Sequence, residues 1–130
     1  MTRMVIADDQ PRARRSLRAL LTAMLWSHNG SDRRQEGLIE IVGEATDGQE
    51  TIDQVEALLP DVVVMELHMP TLDGLNAIRL LKSRWPELRV VVLTMYATNR
   101  AAALAAGADA FLLKGCPTAD LLAAVRPTVP

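Results

Sequence analysis

Asp61-Val62-Val63-Val64-Met65-Glu66 sets four uninterrupted apolar residues between two acidic ones. The run is strand-length and rich in β-branched residues. It lacks the period-two alternation of a half-exposed strand, so it reads as a strand covered on both faces. Met4-Val5-Ile6-Ala7, ahead of Asp8-Asp9, and Val90-Val91-Val92-Leu93, ahead of Thr94, repeat the pattern. Two weaker segments, Leu38–Val42, broken by Glu40, and Ala110–Leu113, ahead of Lys114, read as edge strands.

Helical periodicity fills the intervals. Leu17, Leu20, Leu21, Met24 and Leu25 keep i, i+3, i+4, i+7, i+8 spacing, and the arginines Arg12 to Arg18 read as the wet face of that helix. Ile52, Val55 and Leu59 form a second stripe, with Asp47 as N-cap and Glu50 three residues on. Leu75, Ile78 and Leu81 form a third, closed by Pro86. An alanine-rich fourth covers about Thr98 to Ala106 with Gly107 as C-terminal cap, and Thr118 is placed to cap a fifth. Strand and helix thus alternate five times, which predicts an α/β doubly wound parallel sheet with helices on both faces. Such sheets hold their ligands at the carboxyl ends of the strands.

The totals narrow the class. The 130 residues fit one domain, and 49% apolar content allows a full core. A net charge of −2 carries no electrostatic footprint for nucleic acid or an anionic membrane. One cysteine, Cys116, excludes an internal disulfide and suits a reducing compartment. With no leader-like opening and no apolar run near the ~20 residues that span a bilayer, a cytoplasmic protein with no membrane role is expected. The domain is read as residues 1–126, with an insertion at about 26–37, and 127–130 as the start of a linker. The insertion, Trp26 to Gly37, is polar and long for a helix–strand connection and reads as a mobile surface loop.

The residues that follow each strand carry the chemistry. Asp8-Asp9, Glu66, Thr94 and Lys114 would meet at one sheet edge as carboxylates, a hydroxyl and an ammonium. Any one alone is ordinary: an N-cap, a turn residue, a solvated lysine. The ordered set is not. Clustered carboxylates need a cation, and acidic positions from two loops suit Mg²⁺ with several retained waters. A lysine and a threonine supply the charge and the donor that hold a phosphoryl oxygen.

These segments, together with Leu67-His68-Met69-Pro70, Asp73-Gly74 and Ala106-Gly107-Ala108-Asp109-Ala110-Phe111, resemble the signature stretches of response-regulator receiver domains over essentially the whole chain. Val42-Gly43-Glu44-Ala45 with Asp47-Gly48 is similar to the NarL/FixJ (LuxR-type) branch. The resemblance implies a flavodoxin-like (βα)5 sandwich with strand order 2-1-3-4-5. It implies Mg²⁺, weakly bound, on Asp9 directly, Asp8 partly through water, Glu66 and the His68 backbone carbonyl. Thr94 and Lys114 would contact a phosphoryl group, and Phe111 would be the aromatic that turns inward on activation. The His68 side chain is expected to be an exposed loop residue with no role. A sensor histidine kinase or an effector domain is the implied partner, with homodimerisation an option. DNA contact is expected only through a C-terminal helix-turn-helix domain absent from this chain.

Three departures mark the chain. Gly115, not proline, follows Lys114; the 26–37 insertion is unusual in length; and Glu66 stands where the family carries its phosphorylatable aspartate. Two readings follow from Glu66. One is a natural, phosphorylation-independent interaction module. The other is an ordinary phosphoacceptor switch whose aspartate was replaced to imitate activation. An enzyme on the same fold fits worse, because no glycine-rich phosphate loop follows the first strand and no Ser-His or Cys-His pairing is evident.

Overall fold

The computed structural model describes residues 1–27 and 39–126; the 26–37 insertion, for all but its first two residues, and the 127–130 tail lie outside the described residues. Strands β1 (Thr2–Ala7), β2 (Ile39–Ala45), β3 (Val62–Met65), β4 (Arg89–Thr94) and β5 (Ala110–Leu113) form one parallel sheet. Their order is β2-β1-β3-β4-β5, as expected. Helices α1 (Pro11–Ser27), α2 (Gly48–Leu58), α3 (Gly74–Arg84), α4 (Arg100–Ala106) and α5 (Thr118–Val125) join them.

The unbroken apolar strands are covered on both sides because their residues divide between two cores. Val5, Ala7, Val63, Met65, Val90 and Val92 pack with Ile52 and Val55 of α2, Ile78 and Leu81 of α3, and Ala103 of α4. Met4, Ile6, Val62, Val64 and Val91 face the other way, onto Leu17 and Leu21 of α1 and Leu121 and Val125 of α5. All four β3 side chains are buried, so this strand has no polar face to alternate.

Local details refine the sequence reading. β2 runs on to Ala45 rather than stopping at Val42. Its pairing with β1 skips Val42, with Met4 opposite Ile41 and Val5 opposite Gly43, and this bulge breaks the alternation that would have marked the strand. The fourth helix begins as a 3-10 turn at Ala97–Asn99 before continuing as α4. Thr118 does not cap α5: Pro117 occupies that position without a side-chain bond, and Thr118 is the first helical residue. Asp47 does cap α2, accepting the Glu50 amide at 2.7 Å, while the Glu50 carboxylate reaches back to the Thr46 amide at 3.0 Å. Gly107 closes α4 in the left-handed conformation.

Candidate functional site

The sheet switches direction at β1: the chain leaves it to form β2 on one side and returns to form β3 on the other. The crevice between the carboxyl ends of β1 and β3 is therefore the switch point, where ligands of such sheets bind. Asp8 and Glu66 stand on either side of it. Their backbones are held by continuation of the ladder, Asp8 N donating to the Ala45 carbonyl at 3.0 Å and Glu66 N to the Ala7 carbonyl at 2.9 Å. Lys114 N donates in the same way to the Thr94 carbonyl at 2.8 Å, across β4 and β5.

These three backbones converge their side chains. The Lys114 ammonium lies 2.8 Å from Asp8 Oδ2 and 3.1 Å from Glu66 Oε1. Glu66 Oε2 turns back to accept the amides of Leu67 at 2.8 Å and His68 at 3.3 Å, while Asp8 Oδ1 accepts the Gln10 amide at 2.9 Å. Burial alone would push the Glu66 carboxyl up. The Thr94 hydroxyl, the Lys114 ammonium and the His68 amide outweigh burial and hold it below the usual carboxylate range. Lys114 is likewise opposed by burial, yet Asp8 and Glu66 raise it above the ordinary lysine value.

Thr94 is fully buried at the end of β4. Its Oγ1 forms no hydrogen bond of acceptable geometry with any described residue, so it acts on Glu66 as a nearby dipole rather than through a formed bond. A buried hydroxyl without a partner is costly to keep unless something else binds it. Phe111 is buried in the core on the α2–α4 side of the sheet.

Asp9 stands apart from this cluster, half-buried and without a hydrogen bond or ion pair among the described residues. Among those residues no three His, Cys, Asp or Glu side chains approach closely enough to cage an ion. The donor chemistry still fits Mg²⁺ on the Asp9 side. Asp8, Asp9 and Glu66 less Lys114 leave two negative charges, and Mg²⁺ is commonly held by one or two carboxylates with most of its waters retained. Both oxygens of Glu66 are already engaged, so it is the weakest member of the anticipated ligand set.

Several contacts escaped the sequence reading. Arg14 and Arg18 are not simply a wet face: they bind Glu44 of β2 at 2.9 and 2.6 Å, and Arg14 also donates to the Asp8 carbonyl at 2.8 Å. The signal was available, since Glu44 is an acidic residue in a mostly apolar edge segment. Tyr96, two residues past Thr94, sets its ring edge-on to His68, with centroids 5.5 Å apart. Both side chains are exposed, so His68 lies in the loop as expected but is not without a neighbour. Gly115 has φ +92°, a conformation closed to proline, whose ring fixes φ near −65°.

A doubly wound sheet with an acidic switch point, an ammonium and a hydroxyl at its strand ends defines a signalling receiver fold. The family model for the response regulator receiver domain matches residues 4–126, and the chain belongs to that family. It is 34% identical over 122 residues to the "Uncharacterized transcriptional regulatory protein YhcZ" of Bacillus subtilis (strain 168), covering 92% of this chain and 51% of that protein. The signal receiver domain of NarL from Mycobacterium tuberculosis is 30% identical with a TM-score of 0.77, over 95% of this chain and 92% of that one. A two-component response regulator of the LuxR family from Aurantimonas sp. SI85-9A1 is 27% identical with a TM-score of 0.76, over 100% of this chain and 91% of its own. The chain spans about half the length of the curated relatives it matches. Among the described residues no helix is long and apolar enough to cross a membrane.

Proposed function

We propose that this receiver works as the input module of a LuxR-type transcriptional regulator, with Glu66 in the phosphoacceptor position and phosphoryl transfer to it impaired. The observation that carries the reading is the Lys114 ammonium bridging Glu66 and Asp8 beside the unpartnered Thr94 hydroxyl. The bridge neutralises a carboxylate at the switch point, and the free hydroxyl offers a donor to a further oxygen there.

In the ordinary reaction a carboxylate oxygen at this position attacks phosphorus as the P–N bond to a kinase histidine breaks, leaving an acyl phosphate. Asp9, Asp8 and the His68 carbonyl would hold Mg²⁺, which when bound neutralises phosphoryl charge. Lys114 and Thr94 would hold the phosphoryl oxygens. Glu66 places its oxygens up to about one C–C bond, ~1.5 Å, beyond an aspartate's. Misplacement near 1 Å costs on the order of 100-fold in a reaction that depends on positioning. The same extra length lets Glu66 reach Lys114 unaided and imitate part of the phosphorylated state, with a single negative charge. Phe111, buried beneath this edge, would be the aromatic that follows that state.

The module signals rather than catalyses. A histidine kinase or an effector domain is its partner, and DNA is contacted through a separate domain. The second reading, a phosphorylation-independent interaction module, draws on the same closed ion pair: with both Glu66 oxygens engaged, the switch is already set.

Intact-mass measurement after incubation with acetyl phosphate and Mg²⁺ tests the assignment. Glu66→Asp should gain one phosphate rapidly, and the parent protein slowly or not at all. Equal incorporation by both would count against Glu66 as the acceptor position. Failure of Glu66→Asp to label at all would favour the phosphorylation-independent module.

A further inference from the structure

On the face of the sheet opposite α2, α3 and α4, a cleft of about 440 Å³ opens between α1 and α5 and runs up to the switch point. Its floor is apolar, built from Ile6, Val64 and Leu93 of the sheet, and its walls from Leu17, Leu20 and Leu121. Asp8, Glu66 and Lys114 form its polar end. The volume lies within the ~300–1,000 Å³ typical of small-molecule sites, and an apolar body with a few convergent polar groups is the usual make-up of such sites.

The polar end restricts what can enter. Of the three donors on the Lys114 ammonium, one is spent on Asp8 and one on Glu66, leaving the third without a partner among the described residues. A ligand head that accepts a hydrogen bond would satisfy it. An anionic head would face Asp8 and Glu66 against one ammonium. A cationic head would have to leave water for an apolar cleft and compete with Lys114 itself.

We propose that the α1–α5 cleft binds a small, uncharged, largely apolar molecule through a carbonyl or hydroxyl oxygen that accepts from Lys114. The site requires no phosphoryl chemistry at Glu66. It makes occupancy and the charge state of the switch point interdependent, because both engage Lys114.

The ketone dye 6-propionyl-2-(dimethylamino)naphthalene has the required form and reports apolar surroundings by a blue shift in emission. It should bind the full chain saturably and perturb the methyl NMR signals of Leu17, Val64, Leu93 and Leu121, leaving those of Ile78 and Leu81 on the opposite face in place. Ala13→Trp, which fills the cleft from α1, should abolish saturable binding while the opposite-face methyl signals stay native. Lys114→Met should weaken it roughly fivefold, the value of one hydrogen bond. 6-(Dimethylamino)-2-naphthoate, the anionic counterpart, should bind at least about tenfold more weakly than the ketone. Unchanged affinity in a folded Ala13→Trp protein, dye-induced shifts confined to the opposite-face methyls, or equal affinity for ketone and carboxylate would each overturn the proposal. None of these results depends on whether Glu66→Asp accepts phosphate, so the two readings stand or fall separately.

Discussion

Replacing Lys114 with methionine removes the one cation ion-paired with the Asp8 and Glu66 carboxylates among the described residues. The two carboxylates keep only 8% and 7% of their side-chain surface exposed, so their charges would be stranded. Removing one partner of a buried ion pair costs about 3–5 kcal/mol. Here the loss is smaller. Lys114 itself is 22% exposed, so water reaches the gap, and the amides of Gln10, Leu67 and His68 go on supporting the carboxylates. That places the expected loss at about 2–3 kcal/mol, a fall in Tm of roughly 6–15 °C for a domain of this size.

The pH dependence discriminates this from mere loss of packing. In the parent protein the Glu66 carboxyl is held below its ordinary value. Its stabilisation is therefore present above the unfolded-state value and lost as pH falls through the folded one. Without Lys114 burial dominates, the folded-state value rises, and protonation on acidification then favours the folded variant. The gap between parent and variant should be widest near pH 7, narrow as the pH falls through the ordinary carboxylate range, and close only below the lowered Glu66 value. Urea denaturation followed by circular dichroism across that range measures it. A gap that stays constant with pH, or a loss below about 0.5 kcal/mol at neutrality, would refute the ion-pair argument.

Three further outcomes are expected. Gly74→Ala would put a Cβ 2.5 Å from the Leu67 carbonyl oxygen and 2.7 Å from Leu67 Cα, both backbone; a loss of about 1–3 kcal/mol in chemical denaturation follows. Asp47→Ala removes the cap from α2 and should lower stability by about 1 kcal/mol, visible as a lower urea midpoint with unchanged slope. Asp9→Ala should abolish Mg²⁺ binding detected by titration calorimetry while leaving the Lys114 bridge intact, and equal affinity in parent and variant would sink the ligand assignment.

Much of this was legible in the residues because strands covered on both faces announce themselves. Val62–Met65 and Val90–Leu93 have no polar interruption, and the acid or hydroxyl that follows each marks the sheet edge. The edge strand β2 was harder: its bulge sets Val42 and Gly43 toward the same side, Val42 against the core and Gly43 against Gln54 and Leu58 of α2, so the period of two fails at the point where the sequence reading ended the strand. That Asp8, Glu66 and Lys114 meet at one edge could be read from strand ends, but their internal wiring could not. Which oxygen Lys114 takes, and that Glu66 folds back onto the amides of Leu67 and His68, depend on side-chain torsions that no spacing encodes. The tie from Arg14 and Arg18 to Glu44 depends likewise on the placing of α1 across the end of β2.

The three ladder bonds at the sheet's edge, from Asp8, Glu66 and Lys114 to Ala45, Ala7 and Thr94, have a consequence for how this chain tolerates change. They tie the site to strand register instead of to the helices or loops between strands. Residues added between α1 and β2 enter ahead of the first β1–β2 pair, Thr2 with Ile39, and alter no pairing downstream of it. A lineage can therefore lengthen or rewrite that connection freely while the carboxylates and the ammonium keep their spacing. The sheet works as a fixed jig: added length falls in the wrapping, and the spacing at the working edge is kept.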